Sequence, residues 1–359
     1  MEGLAVTRAT DASFWRGKRV LLTGHTGFKG AWLTAWLHRL GASVTGISLP
    51  ALTVPNLFEA AGIAQICDSH FCDIRDGEAL TELVRTARPE IVFHLAAQPL
   101  VRASYRAPLV TIETNVMGTA HVLDALRGLD CTRVAVMVTT DKVYRDQGEE
   151  RLSYEDDPLG GRDPYSASKA ACEIVISSYR DCFLADQGTA VASARAGNVI
   201  GGGDWSEDRL IPDAMRAWEA GKILEVRRPR AVRPWQHVLE PLAGYLTLAC
   251  RLWQEAPLMG AYNFGPDSRE AVTVQQLVEI ARRAYGGGTV SYSDVEDGPH
   301  ETAWLSLENR KAREMLGVTP RLSLVQAIDR TVAWYRAHRD GADAIGLCAA
   351  DITAYEALA

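Results

Sequence analysis

The segment "RVLLTGHTGFKGAWLTAWLHRLG", Arg19 to Gly41, passes from a short apolar run through three glycines into a stretch with helical spacing. Arg19–Gly24 reads as a buried strand, and Ala31–Gly41 as a helix whose terminal glycine suits a C-cap. Between them Gly24, Gly27 and Gly30 stand in GxxGxxG spacing, one residue longer than GxGxxG. At a strand-to-helix junction, such a loop lets a nucleotide pyrophosphate meet free N–H groups and the positive dipole end of the helix. A Cβ would obstruct the tight turn or the close approach of phosphate. A turn that served only a close helix–strand contact would account for one or two of the glycines, not all three.

Working outward, strand-like and helix-like segments alternate. Ser43–Leu49, "EIVFHLAAQ", "VMV" before Thr139 and "AVASARAG" read as further strands. Helices are expected at "GEALTELVRTARP", Leu109–Leu129 and Tyr165–Leu184. Strands joined by crossover helices imply an α/β chain with a Rossmann-like, doubly wound parallel sheet over residues 15–200. After Gly201 the alternation loosens, with helices expected at Leu210–Ala220, Val238–Trp253, Val274–Tyr285 and Leu324–His338. Residues 201–339 therefore read as a smaller mixed α/β lobe, from which segments can return to the first sheet. Residues 340–359 read as a peripheral tail.

With 359 residues, 47% of them hydrophobic, the chain has material for two cores or for one core with a lobe. A net charge of −7 argues against nucleic-acid or anionic-membrane partners. The local basic run "RRPRAVRP", Arg227–Pro234, suits either a solvated face or a small phosphorylated ligand. Seven cysteines without CxxC or zinc-type spacing point to a reducing compartment and no metal site. With no signal-like start and no long apolar run, the expectation is a cytoplasmic, soluble protein.

The ends of the second and third strands bear on how such a cofactor would be held. Ser48 stands where an acidic residue would bind the adenosine ribose, which leaves NAD and NADP undecided. Asp73, in "CDIRD", suits an adenine contact with Ile74 packing on the base, or equally a helix N-cap.

Farther on, "DPYSASKAACE" places Tyr165 and Lys169 at i and i+4 on one helical face. A lysine beside a phenol favours the phenolate, and such a phenol can take a proton from an alcohol while hydride leaves the same carbon. By itself YxxxK marks a solvated helix face as readily as a site. Here it follows a dinucleotide loop and the strand-end stretch "VMVTTDKVY", which sets Thr139, Thr140, Asp141 and Lys142 side by side.

Together "TGHTGFKG", "CDI", "HLAAQ", "NVMGT", "YSASK", "RAGNVIGGGD" and "AYNFGP", in this order, resemble the nucleotide-sugar branch of the extended short-chain dehydrogenase/reductase superfamily. The resemblance implies NAD held by Gly24, Thr26, Gly27, Phe28, Gly30, Asp73, Ile74, Leu95, Ala96, Ala97, Tyr165 and Lys169. It implies that residues 201–339 mainly grip a nucleotide diphosphate sugar, held by Gln98, Asn198, Arg209 and Arg233, and it implies a homodimer packed through the helices near Leu109–Leu129 and Tyr165–Leu184. His300-Glu301 resembles a late motif of the same family. His94 and His237 read as structural.

The familiar sugar 4,6-dehydratases carry Thr-Asp-Glu at the fifth-strand end, whereas this chain has Thr140-Asp141-Lys142. Lysine there resembles the 4,6-dehydratases that act on CDP-glucose, as do "TVPNLFEAAGI", "GNVIGGGDWSEDRLIPD" and "RPWQHVLEPLAGYL". The implied chemistry has Thr140 orienting O4, Tyr165 taking the O4 proton and Asp141 protonating the departing O6. Lys142, Tyr165 or water would remove the C5 proton. An Asp141–Lys142 strand-end ion pair is the alternative reading of that dipeptide. The competing functions are a dTDP- or GDP-sugar dehydratase, a 4-epimerase, and a non-catalytic NAD-binding regulator.

Overall fold

The computed structural model describes residues 11–146, 151–267, 270–293 and 304–358. Its centre is a seven-stranded sheet built from β1 (Arg19–Thr23), β2 (Ser43–Ser48), β3 (Asp68–Phe71), β4 (Ile91–His94), β5 (Val134–Val138), β6 (Ala190–Ala196) and a seventh strand, Gly260–Phe264. The spatial order is seventh–β6–β5–β4–β1–β2–β3, and every pairing is parallel. Parallel strands need crossovers, and crossovers cover both faces, so β5 and β6 are buried at every position.

Alternate residues of each strand feed opposite cores. Val20, Leu22, Val134, Val136 and Val138 face one core, with Trp32, Trp36 and the helix Leu239–Gln254. Leu21, Val92, Ala135 and Met137 face the other, with the helices Gly77–Ala87, Gly118–Ala125 and Pro164–Tyr179. The helix Phe28–Arg39 follows β1, and Gly41, with φ +83°, ends it in the left-handed conformation that a Cβ disfavours. The long stretches read as single helices contain π turns at Glu113–Met117 and Arg180–Leu184.

The seventh strand lies beyond residue 200 in sequence, yet it completes the first sheet by pairing with β6 over Gly260↔Ala192 to Phe264↔Ala196. The rest of the C-terminal half is held by short pairings: Gln236–His237 with Val199–Ile200, Val272–Thr273 with Val232–Arg233, and Thr289–Tyr292 with Ile223–Val226.

The tail is not peripheral. Ala344–Glu356 is a helix, capped by the Asp343 side chain on Gly346 N, and its Ala344, Cys348, Ile352 and Tyr355 are buried. Tyr355 Oη donates to Glu240 Oε2 at 2.9 Å, and Trp36 Nε1 donates to Glu356 Oε1 at 2.9 Å. These bonds tie the last helix to both halves of the chain. No helix among the described residues is long and apolar enough to cross a membrane.

Candidate active site

One cleft of about 580 Å³ runs along the carboxyl ends of the strands. The glycine loop, the ends of β2, β3, β4 and β5, the start of the Tyr165 helix and the segment after β6 line it. In an open parallel sheet this is where ligands bind, beside the point at which strand order reverses.

The glycines divide by what they touch. A Cβ on Gly30 would fall 2.0 Å from Gly24 O, and Gly24 has φ +84° with Ala96 N 2.7 Å from its would-be Cβ. Both are required by packing of the loop itself. Gly27 has no such need: its nearest neighbour would be 3.4 Å away, and it lines the cleft. Gly27 is also the N-cap of the helix Phe28–Arg39, without a side-chain cap, so the first N–H groups of the helix are left for a ligand. The longer loop is pinned from behind by His25, whose ring fills the space that Gly46 leaves and whose Nε2 lies 2.7 Å from Ser69 Oγ.

Ser48 replaces the expected acid and is itself engaged. Thr26 donates its hydroxyl to Leu49 O at 2.8 Å, so Ser48 Oγ, 2.8 Å from Thr26 Oγ1, is the donor in that pair and keeps its lone pairs. Its cleft-lining neighbours Leu49, Pro50, Ala51, Leu52 and Thr53 carry no cation. A 2′-phosphate would find no counter-charge there, so this end of the cleft fits NAD. Asp73 lines the cleft but is held by Arg75, with Nη2 to Oδ2 at 2.6 Å. The N-cap of Gly77–Ala87 is Asp76, not Asp73. Ile74 is buried and reaches Gly118, where a Cβ would meet it at 2.4 Å. Phe28, Leu95, Ala96 and Ala97 complete this wall.

At the other end, Thr140, Asp141, Lys142, Tyr165 and Lys169 all line the cleft. The strand ends here because Thr140 accepts from Lys142 N and starts a single turn, Asp141–Val143. Thr140 Oγ1 donates to Asp141 Oδ1 at 3.0 Å and lines the cleft beside Tyr165. Asp141 is buried, and its Oδ2 has no protein partner. Only a glycine fits at 197, because a Cβ would lie 3.0 Å from that oxygen and 2.7 Å from Pro234.

Tyr165 enters from the first turn of Pro164–Tyr179, a helix capped by Asp163 on Ser166 N at 2.9 Å. Burial pushes its phenol up to about 12. Lys169 lies one helical turn on, buried like Tyr165. Lys169 Nζ donates to Val138 O at 3.2 Å, and burial draws its own pKa down. Desolvation is the largest cause acting on each group.

Gln98 is not a cleft residue. Its amide donates to Thr111 Oγ1 at 2.9 Å and its carbonyl accepts from Leu100 N at 2.7 Å, which turns the side chain inward. Asn198, Arg209 and the buried Arg233 do line the cleft. Of the basic run, Arg227 and Arg228 join them, as does Arg102, which sequence reading missed. His94 is buried between Thr23 Oγ1 (2.7 Å) and Thr119 Oγ1 (3.1 Å), and burial brings it down to about 3. His237 is buried too. His300-Glu301 lies outside the described residues.

Three supporting residues were also missed. Asn115 in "NVMGT" binds Gln98 N and donates to Ser168 Oγ at 2.9 Å, joining the end of β4 to the tyrosine helix. Glu173, the last residue of "YSASKAACE", accepts from Thr139 (2.5 Å), Ser193 (2.7 Å) and Arg195 (2.8 Å). Lys29 stands inside the glycine loop and lines the cleft. No group of three metal-ligating side chains occurs among the described residues.

A dinucleotide loop facing a Tyr–Lys helix across a strand end of hydroxyl and acid defines an enzyme of the extended short-chain dehydrogenase/reductase type. The chain belongs to the GDP-mannose 4,6 dehydratase family, whose model matches residues 21–331. It is 45% identical to the CDP-glucose 4,6-dehydratase of Salmonella typhimurium, over 96% of this chain and 98% of that protein. It is 30% identical to a dTDP-glucose 4,6-dehydratase of Xanthomonas campestris pv. campestris, over 88% and 92%. Among solved structures it superposes on DesIV, a dTDP-glucose 4,6-dehydratase from Streptomyces venezuelae with NAD and TYD bound. That match has a TM-score of 0.77 at 25% identity, over 91% of this chain and 99% of that one.

Proposed function

We propose that the chain is a hydro-lyase that converts CDP-glucose to CDP-4-keto-6-deoxyglucose and water, with NAD as its cofactor. The observation that carries this is the Thr140-Asp141-Lys142 turn facing Tyr165 in a dinucleotide cleft, together with 45% identity to a CDP-glucose 4,6-dehydratase.

The bare Gly27 and the uncapped helix behind it would hold the pyrophosphate of NAD, with Ser48 at the ribose and Asp73 and Ile74 at the adenine. Bound NAD supplies a hydride acceptor for C4 and returns that hydride to C6. Everything else falls to side chains. Thr140 orients O4, and Tyr165, as its phenolate, receives the O4 proton as the ketone forms. The ketone acidifies C5–H, and we assign Lys142 to remove that proton. Asp141 Oδ2, buried and without a partner, donates a proton to O6 so that it leaves as water. C5 is reprotonated when hydride reaches C6, so no second substrate is consumed. Asn198, Arg209 and Arg233 face the diphosphate, for which guanidinium forks are suited.

The reading includes a homodimer. Leu109 (72% exposed), Ile112 and Met117 on one stretch, and Ile174 (62%) and Phe183 on the neighbouring helix, present apolar side chains to solvent. Such a patch favours a partner surface. Seven free cysteines support a cytoplasmic setting.

The test is incubation with the CDP, dTDP, GDP and UDP forms of glucose, followed by mass spectrometry for loss of water. Loss chiefly from CDP-glucose is expected. Loss chiefly from the dTDP sugar would move the specificity, and loss from none would remove the dehydratase reading.

A further inference from the structure

Lys29 has no part in the chemistry above, yet its position is costly. It sits in the first turn of Phe28–Arg39, where the helix dipole disfavours a cation. It lines the cleft with Val138, Thr140, Asp141 and Tyr165. Among the described residues no carboxylate pairs with it. Its Nζ donates to Tyr245 Oη at 3.4 Å and lies 5.7 Å from that ring's centroid. Burial, then the like charge of Arg209, with Lys169 adding to it and Asp141 opposing, brings its ammonium down to about 7. A structural lysine would be expected to find an ion pair or solvent.

We propose that Lys29 tunes the redox balance of the bound cofactor, its ammonium favouring the uncharged reduced nicotinamide over the cationic oxidised ring. This rests on the assignment of NAD to the cleft. The sugar carbon that gives up hydride bears the hydroxyl that Tyr165 deprotonates, so the nicotinamide end must come to the Thr140–Tyr165 end of the cleft. Lys29 senses Asp141 and Lys169, so its charge acts at that same end. A fixed cation there opposes a second positive charge and is indifferent to a neutral ring. The electrons balance within the cycle: hydride leaves C4, its proton partner goes from O4 to Tyr165, and the same hydride later forms the C6–H bond. The intermediate keto sugar exists only while the hydride is stored, and a charge that stabilises storage lengthens the time available for elimination.

The test is competitive binding on the full-length protein, with NADH fluorescence read as NAD is titrated in, to give the ratio of the two dissociation constants. Lys29→Met is expected to shift that ratio about tenfold toward NAD, while Lys29→Arg keeps the wild-type ratio. In the wild type the preference for NADH should decline between pH 6 and pH 9 as Lys29 loses its proton. Asp141, Arg209, Lys169 and Tyr245 also face Lys29; their contribution persists in Lys29→Met, which should show a flatter profile. Equal weakening of both forms in Lys29→Met, or a wild-type ratio that does not change with pH, would overturn the proposal. Failure of the wild type to bind either form would instead remove the NAD assignment. Should Lys29→Met not fold, the wild-type pH profile against that of Lys29→Arg decides.

Discussion

Thr140 and Asp141 form a one-sided pair: the hydroxyl donates to Oδ1 at 3.0 Å, and Oδ2 is left buried with no partner. A carboxyl group bonded on one oxygen and open on the other is oriented to deliver a proton in one direction. Asp141→Asn keeps the shape and the Thr140 bond but cannot act as the acid. We expect turnover to fall by about 100-fold or more, while the C4 oxidation still proceeds. Rapid-quench measurement of the 4-keto hexose, with its C6 hydroxyl intact, checks this; an unchanged rate of water loss would remove Asp141 from that role.

Lys142 shares the turn. If it removes the C5 proton, Lys142→Ala should abolish exchange of that proton with deuterated solvent while leaving C4 oxidation measurable. Exchange at the wild-type rate would return the task to Tyr165 or water.

The glycine loop separates two kinds of damage. Gly30→Ala would place a methyl 2.0 Å from Gly24 O, which the loop cannot accommodate without rearranging. A loss of about 3 kcal/mol or more of stability is expected, seen as a large fall in Tm. Gly27→Ala meets nothing closer than 3.4 Å. It should melt near the wild-type temperature and lose NAD affinity by about tenfold or more, as measured by titration.

Acid should unfold the protein partly through its buried histidines. Burial holds His25 at about 4, and His94 and His237 at about 3, below the usual 6.5. A depressed value means the folded state binds fewer protons than the unfolded chain as pH falls. The stability these histidines confer is therefore full above about 6.5 and is lost progressively toward pH 3–4. Each contributes a slope of up to about 1.4 kcal/mol per pH unit in that window. Denaturant midpoints from pH 7 to 4.5 should fall less steeply in His94→Gln than in the wild type.

The exposed apolar side chains on the helices around Leu109 and Ile174 make the proposed homodimer testable. Ile174→Glu should shift the sedimentation coefficient to that of a monomer and leave Tm of the isolated subunit nearly unchanged. A wild-type protein that is already monomeric would contradict the dimer.

Much of the architecture was legible because the glycine loop and the buried β5 and β6 announce themselves in residue type. The groups that meet in the cleft, Thr140 to Lys142 with Tyr165 and Lys169, were legible because their order along the chain is tied to strand ends. Side-chain direction was not. Gln98 follows "HLAA" as expected but turns inward to Thr111, a choice made by the packing of the helix Pro108–Ile112 against it and not by its own spacing. The burial that raises the Tyr165 phenol was not legible either, because spacing shows proximity and says nothing of desolvation. The last helix escaped notice because its buried positions, Ala344, Cys348 and Ile352, stand among other small or apolar residues, so no polar face sets them off.

The return of Gly260–Phe264 to the sheet also bears on biosynthesis. While the ribosome is still short of residue 264, β6 lacks one neighbour, and seven consecutive positions destined for burial lie along an open edge. The nascent chain must carry that adhesive edge through the synthesis of more than sixty residues before its match emerges. Overexpression that outpaces chaperones should therefore yield aggregates seeded at Ala190–Ala196, and a fragment ending at residue 200 should be insoluble even though it contains the whole glycine loop and the tyrosine helix.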